Sequence, residues 1–265
     1  MSHPVVTFLS DYGLRDDFVG VCHGVIARIC PEARVIDLTH GVPQGDVRAG
    51  ALVLGGALPY LPVGVHLAVV DPGVGGDRRA VALSMADGRR LVGPDNGLLS
   101  AAAEAAGGVV EAVDIGHSPF ALEPISATFH GRDIFAPVAA RLAAGASLAD
   151  AGEPIDPDGL LALELTRAEV VDGVLVGHVV YVDGFGNVQL DADGAAFHLG
   201  QPLGVVSARG LRVGARFGRT FADVGAGELL VYEDAYRRLA VAVNQGSAVQ
   251  RLGISVGDEV RIAPT

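Results

Sequence analysis

The chain has 265 residues, half of them hydrophobic, with a mean hydropathy of +0.40. That is enough apolar surface for a real core and excludes an unfolded chain. Arginines but no lysines, 19 cations in all, face 31 acids for a formal charge of −12; such a field repels a phosphate backbone, and with 5% aromatics and no tryptophan there are few stacking surfaces, so no nucleic-acid partner is expected.

Val5 to Leu9 reads as a short apolar strand. A helix over Asp16 to Ile29 follows, with Phe18, Val21, Val25 and Ile29 at helical spacing and Pro31 as its stop. Val35 to Leu38 is the next strand, Asp46 caps a helix running through Leu58, and His66 to Val70 is a buried strand. Residues 49–70 are apolar enough to suggest a membrane segment, but Pro59, Pro62 and His66 cut them into helix, turn and strand, so no membrane association is expected. Val81 to Leu83 and Leu91 to Val92 flank an Asp87-Gly88 hairpin signal. A helix of small residues starts at Asn96 and ends at Gly107-Gly108, Val109 to Val113 is a strand, and a helix from Arg132 or Asp133 to Leu142 takes Pro137 in its first turns.

This alternation predicts an α/β domain with a largely parallel sheet. Gly145 to Pro157 is acidic and rich in Gly and Pro, a linker by composition. Beyond it come short strands at Val174 to Val182, Val188 to Leu190, Leu203 to Val206, Leu229 to Tyr232 and Leu239 to Val243, punctuated by glycines, which fits a small all-β, barrel-like domain. The expected division is 1–157 and 158–265.

Polar residues gather where glycine turns end the apolar segments, as ligand-binding groups do in open α/β folds. Asp11, in Ser10-Asp11-Tyr12-Gly13, has the chemistry to accept two hydrogen bonds from a vicinal diol; alternatively Asp11 or Asp16 only caps the helix. Asp71-Pro72-Gly73-Val74-Gly75 is not a phosphate loop, and Arg78, seven residues on, can return to Asp71 as an ion partner or simply hold a turn. His130, in Phe129-His130-Gly131-Arg132-Asp133, can orient a water or move a proton, with Arg or Asp neighbours setting its protonation. In Asp183-Gly184-Phe185-Gly186-Asn187, Asn187 offers an amide for a purine edge and Phe185 a stacking face, or the asparagine merely closes a turn.

Cys22 and Cys30 suit buried apolar sites and form no recognisable disulfide or zinc framework. His23, His40, His66, His117, His178 and His198 show no metal-ligand spacing, so no metal is expected. The first residues lack a charged leader and an apolar core, which predicts a cytoplasmic protein.

Together these motifs, with Pro94-Asp95-Asn96-Gly97 and Asn244-Gln245-Gly246-Ser247-Ala248, resemble the S-adenosyl-L-methionine (SAM) hydroxide adenosyltransferase family, which is related to the fluorinating and chlorinating enzymes. The resemblance covers nearly the whole chain, six motifs in family order. It implies cleavage of SAM by water into adenosine and L-methionine without a cofactor. It further implies a homotrimer whose sites lie between one subunit's α/β domain and the next subunit's barrel. By position, Asp71, Arg78 and His130 become the water-handling triad and Asp11 the ribose clamp. Phe185, Asn187 and the Ser247-Ala248 backbone receive adenine, and Asp183 faces the methionine ammonium.

The sulfonium is already a good leaving group, so the protein's task is to align an oxygen with C5′ and to accept a proton at His130 or Asp71. Two positions depart from the pattern. Gly76 replaces a common hydroxyl residue, and Glu233-Asp234-Ala235-Tyr236 replaces small polar residues near the methionine end. The rival readings are a SAM halogenase using chloride or fluoride, and a non-catalytic SAM or nucleoside sensor.

Overall fold

The computed structural model describes residues 3–164, 166–193 and 197–265. It divides into two compact units, Met1–Leu163 and Glu164–Thr265. In the first, chain order is β1 (Val5–Ser10), α1 (Phe18–Ile29), β2 (Arg34–Thr39), α2 (Val47–Ala57), β3 (Val65–Val69), β4 (Ala80–Met85), β5 (Arg90–Pro94), α3 (Ser100–Ala105), β6 (Val109–Asp114), α4 (Ala136–Ala143) and β7 (Glu153–Ile155). A single π-helical turn, Gly131–Phe135, leads into α4.

The seven strands form one sheet in the order β2-β1-β3-β5-β4-β6-β7. It is mixed rather than largely parallel: β2, β1, β3 and β5 run parallel, whereas β4, β6 and β7 are joined by antiparallel pairings. The reversal follows from the Asp87-Gly88 turn, where Gly88 has φ +86° and Asp87 accepts from the Arg89 amide, because a hairpin necessarily sets β4 against β5. The stretch expected to be a linker instead supplies the edge strand β7, and Leu148 and Ala151 are buried in the first unit's core.

Strand alternation sorts the core into two layers. Val6 and Phe8 of β1 join Cys22, Val25 and Ile26 of α1 and the apolar face of α4 on one side. On the other side α2 packs closely on α3, and a Cβ at Gly50 would approach Leu98 to 2.7 Å. Every residue of β3 is buried, the pattern of a central strand covered on both faces. Asp46 caps α2 by accepting from the Ala49 amide.

One consequence concerns acid stability. His66, fully buried on β3, pairs through Nδ1 with Thr7 Oγ1 at 2.9 Å. Burial, reinforced by the Arg89 cation and opposed by Asp87, pushes its pKa down to about 4. The unfolded chain takes up this proton near pH 6.5 and the native state does not until about 4, so stability falls as pH drops through that window, by about 3 kcal/mol for this one group. Urea unfolding across pH 4–7 should show the loss, and His66→Gln should flatten it; an unchanged slope in the variant would assign the acid sensitivity to other groups.

In the second unit the strands are β8 (Glu169–Val171), β9 (Val174–Val182), β10 (Val188–Asp193), β11 (Pro202–Ser207), β12 (Arg212–Phe217), β13 (Leu229–Glu233), β14 (Arg238–Val243) and β15 (Glu259–Pro264), with one short helix, α5 (Ala248–Leu252). Seven of them close into a barrel, β9-β10-β14-β13-β12-β11-β15 and back to β9, with β8 added outside on β9. Closure depends on the length of β9: Leu175 to His178 pair with β15, and Val179 to Val182 with β10. Alternate residues such as Leu203, Val205, Leu229, Val231, Leu239, Val241, Val260 and Ile262 fill the interior. Among the described residues no helix is long and apolar enough to cross a membrane.

Candidate active site

Asp71 follows the end of β3, where the open edge of an α/β sheet presents its loops. Asn96 fixes this strand end, since its Nδ2 donates to the Val70 carbonyl at 2.9 Å and its Oδ1 accepts from the Leu98 amide. In the sequence Asn96 stands at a helix start and in the Pro94-Asp95-Asn96-Gly97 motif, and neither place reveals this contact. The loop then turns back so that Arg78 Nε donates to Asp71 Oδ1 at 2.9 Å and Oδ2 at 3.1 Å, and Nη2 also pairs with Oδ2. Both side chains are largely buried, at 11% exposure for Arg78 and 6% for Asp71, where a two-pronged ion pair is held far more firmly than on the surface. The guanidinium also lies over the Phe135 ring, 5.3 Å from its centre.

Arg78 Nη2 reaches His130 Nδ1 at 2.8 Å. A guanidinium can only donate, so Nδ1 is the acceptor and the proton of the neutral ring sits on Nε2. Burial and the Arg78 charge hold the His130 pKa below its ordinary value, against opposing pulls from Asp71 and Asp133. Arg78 is thus the centre of a three-residue unit, with a carboxylate on one side and a neutral imidazole on the other.

Two contacts lock the loops that carry this unit. Gly75 has φ +76°, and a Cβ there would collide with the Ala127 carbonyl, so the Asp71 loop is pressed against the segment that leads to His130. Asp133 acts on His130 as a charged neighbour, as expected, and is a positioning residue as well. Its Oδ1 accepts from Arg132 Nε at 2.6 Å, and its Oδ2 from Arg132 Nη2 and the Ser126 amide, both at 2.8 Å. Burial pushes its pKa up, but the hydrogen bonds from Arg132 and Ser126 outweigh it and hold the carboxyl below the usual range.

Asp11 does not cap α1. The N-cap position is Asp17, which makes no side-chain cap, while Asp11 Oδ2 accepts from the Gly45 amide at 2.8 Å. Gly45 in turn lies beside Pro72, a Cβ there falling 3.7 Å from the Pro72 Cβ, so Asp11 shares one neighbourhood with the Asp71 loop. Tyr12 lines the same region with its ring edge-on to Phe8 and Phe129. Burial first, then nearby Cys22, Asp11 and Asp71, push its phenol pKa up, so it stays neutral.

The second unit assembles the other candidates. Asp183 Oδ1 accepts from the Phe185 and Asn187 amides, both at 2.9 Å, and Oδ2 from Asn187 Nδ2 at 2.8 Å. Asn187 is buried on this carboxylate, whereas Phe185 is 82% exposed. Gly186 (φ +81°) lies so close to Ser247 that a Cβ would strike its hydroxyl, and its carbonyl accepts from the Val249 amide, which brings Ser247 and Ala248 at the start of α5 against the Phe185 loop. At the departure from the family pattern, Glu233 is paired with Arg237 at 3.0 Å and Asp234 accepts from the Tyr236 and Arg238 amides. A cavity of about 1050 Å³ elsewhere in this unit, lined among others by Glu169, His178, Arg212 and Arg261, contains none of the candidate residues.

An α/β unit presenting an aspartate-arginine-histidine cluster, followed by a closed barrel presenting a polar loop and an exposed aromatic, defines the class of protein to which the chain is compared. The chain belongs to the SAM hydroxide adenosyltransferase family: residues 6–152 match its N-terminal domain and 177–261 its C-terminal domain. It is 55% identical over 262 residues to an (R)-S-adenosyl-L-methionine hydrolase of Salinispora tropica, covering 98% of this chain and 97% of that one. It is 28% identical to a fluorinase of Nocardia brasiliensis over 98% of this chain and 96% of that protein. Among solved structures, an uncharacterized conserved protein from Thermotoga maritima superposes with a TM-score of 0.90 at 37% identity, covering 97% and 99% of the two chains.

Proposed function

We propose that the protein hydrolyses (R)-S-adenosyl-L-methionine to adenosine and L-methionine. A water oxygen forms a bond to C5′, the C5′–sulfur bond breaks with its electron pair going to sulfur, and one proton leaves the attacking water. The observation that carries this reading is Arg78 held by Asp71 on one side and by His130 Nδ1 on the other, beside Asp11. Because His130 Nδ1 is engaged with Arg78, Nε2–H is the group it offers, so His130 orients the water and Asp71 receives the proton. Asp11, with Oδ1 beyond its bond to Gly45, holds the ribose hydroxyls.

The barrel supplies the rest of the substrate site. Asn187 spends one of its two amide donors on Asp183 and offers Oδ1 to the purine amine, Phe185 stacks on the ring, and the Ser247-Ala248 backbone completes the adenine edge. Asp183 accepts three internal bonds and retains capacity for the methionine ammonium. Pairing of Glu233 with Arg237 offsets the repulsion that an acid near the methionine carboxylate would exert. The protein acts as a homotrimer in which the first unit of one subunit faces the second unit of the next; the support is that the candidate groups fall into two sets, one per unit, and that Phe185 is exposed.

Hydrolysis is favoured over halogenation by charge. A carboxylate, its paired guanidinium and a neutral imidazole have no net positive charge with which to draw a halide out of water, and Asp71 alone would repel one by about 1 kcal/mol. Incubation with SAM in halide-free and in high-chloride buffer, followed by product identification, should give adenosine and methionine in both. Dominant 5′-chloro-5′-deoxyadenosine would overturn the reading in favour of a halogenase, and saturable binding without adenosine would make the protein a sensor.

A further inference from the structure

We propose that His23, Asp37 and His40 form a binding site for a divalent transition-metal ion of the zinc class, apart from the Asp71, Arg78 and His130 cluster. The three residues come from α1, β2 and the turn after β2, and their ligand atoms lie within 4.8 Å of one another. His23 Nε2 is 2.8 Å and His40 Nε2 3.1 Å from Asp37 Oδ1. Ligand atoms around a tetrahedral zinc, with metal–nitrogen and metal–oxygen bonds near 2.0–2.2 Å, stand about 3.3 Å apart, so small side-chain shifts open the cluster to an ion. Two imidazoles and a carboxylate suit zinc, cobalt or iron, not calcium or magnesium, which take oxygen ligands.

A hydrogen-bonded ion triad is the competing account, and His40 separates the two. His40 is 5% exposed, and its Nε2 stands 3.1 Å from Asp37 Oδ1 in an ion-pair contact without a well-formed hydrogen bond. A buried nitrogen so poorly paired is a weak point of the fold, and an ion in the plane of the ring would satisfy it. The other nitrogen, Nδ1, meets Ser10 Oγ at 2.7 Å, and donation from Nδ1–H to this hydroxyl is the outer hydrogen bond that would leave Nε2 as the ligand. The side chains of His23 and Asp37 are 36% and 41% exposed, which gives an ion its route in and leaves room for water as a further ligand.

The site would also touch the substrate side of the fold. The His40 carbonyl accepts from the Gly13 amide at 2.7 Å and its ring holds Ser10, so the two residues flanking Asp11-Tyr12 are both anchored on this histidine. Metal bound at His40 would therefore stiffen the segment that presents Asp11.

The test is direct titration of the chelator-treated full chain with zinc chloride by calorimetry, and with cobalt(II) by visible absorption. One equivalent per chain is expected, with a nitrogen-ligated cobalt spectrum and a higher Tm under saturating zinc. His23→Lys places a cation beside Asp37 and removes the imidazole. It should stay folded by circular dichroism and weaken binding by more than the roughly 10- to 100-fold that loss of an outer hydrogen bond costs, and Asp37→Asn should do the same. Absence of saturable binding to the wild-type protein would overturn the proposal, as would one-equivalent binding of unchanged affinity in folded His23→Lys.

Discussion

Replacement of Arg78 by alanine should lower kcat by at least about 10²-fold, towards the 10⁴-fold upper range for acid–base machinery, with a much smaller change in KM. The expectation follows from its position: Arg78 is the only link described between Asp71 and His130, so its loss both frees the imidazole and leaves a 6% exposed carboxylate without its cation. A stranded buried charge costs about 3–5 kcal/mol, so thermal unfolding of each variant must accompany the kinetics. Arg78→Lys is the sharper probe. It keeps the charge but lacks the planar fork needed to bond two partners at once, and should recover stability well ahead of kcat.

Asp71→Asn and His130→Ala should reproduce the kcat loss, whereas Asp11→Asn, which keeps an acceptor for Gly45, should act mainly on affinity, by about 10- to 150-fold for a lost charged hydrogen bond. The pH profile adds an independent check. His130 is depressed by burial and by Arg78, so it is neutral at pH 7 and protonates only below its ordinary value near 6.5. Protonation removes the lone pair that accepts from Arg78, so kcat should be level near neutrality and fall on the acid side. Near-normal turnover in all three folded triad variants would dismiss the assignment.

The Asp71 and Arg78 pair was legible because both residues sit in one short glycine-rich loop, whose length alone permits the return. The bond from Arg78 to His130 was not, since 52 residues separate them and no local pattern records a tertiary contact. Of the neighbours expected to tune His130, Asp133 does pull on its protonation, whereas the second role of its pair with Arg132, tying down Ser126 and the π-helical turn, leaves no mark in the sequence. His23 and His40 show no metal-ligand spacing in the sequence because only the fold, through a helix and a strand, brings them to Asp37. In the sheet, the hairpin signal at Asp87-Gly88 already required an antiparallel step; the run of parallel units before it obscured that consequence. The strands missed in the barrel were β8, of three exposed residues, and β12 and β15, which alternate inward Val213, Ala215 and Phe217, or Val260 and Ile262, with outward arginines and Gly214 and so lack a continuous apolar run. Their pairing partners supply the stability that their own composition lacks.

If the sites are shared between subunits of a trimer, two inactive proteins should make an active one. Asp71→Asn removes the water-handling carboxylate from the first unit, and Asn187→Ala removes the amide that organises the Phe185 loop in the second. In an equal mixture assembled by co-expression, each interface draws its two halves independently. About one quarter of the sites should then pair an intact first unit with an intact second unit, and activity should return to about that fraction of the wild-type value. Each variant alone, and the two mixed after assembly, should stay near background, because exchange is needed to build a composite site. Light scattering must show three chains per particle. A fully active monomer, or co-assembled trimers with no more activity than the separate variants, would defeat the shared-site arrangement while leaving the chemistry of Asp71, Arg78 and His130 to be judged on its own kinetics.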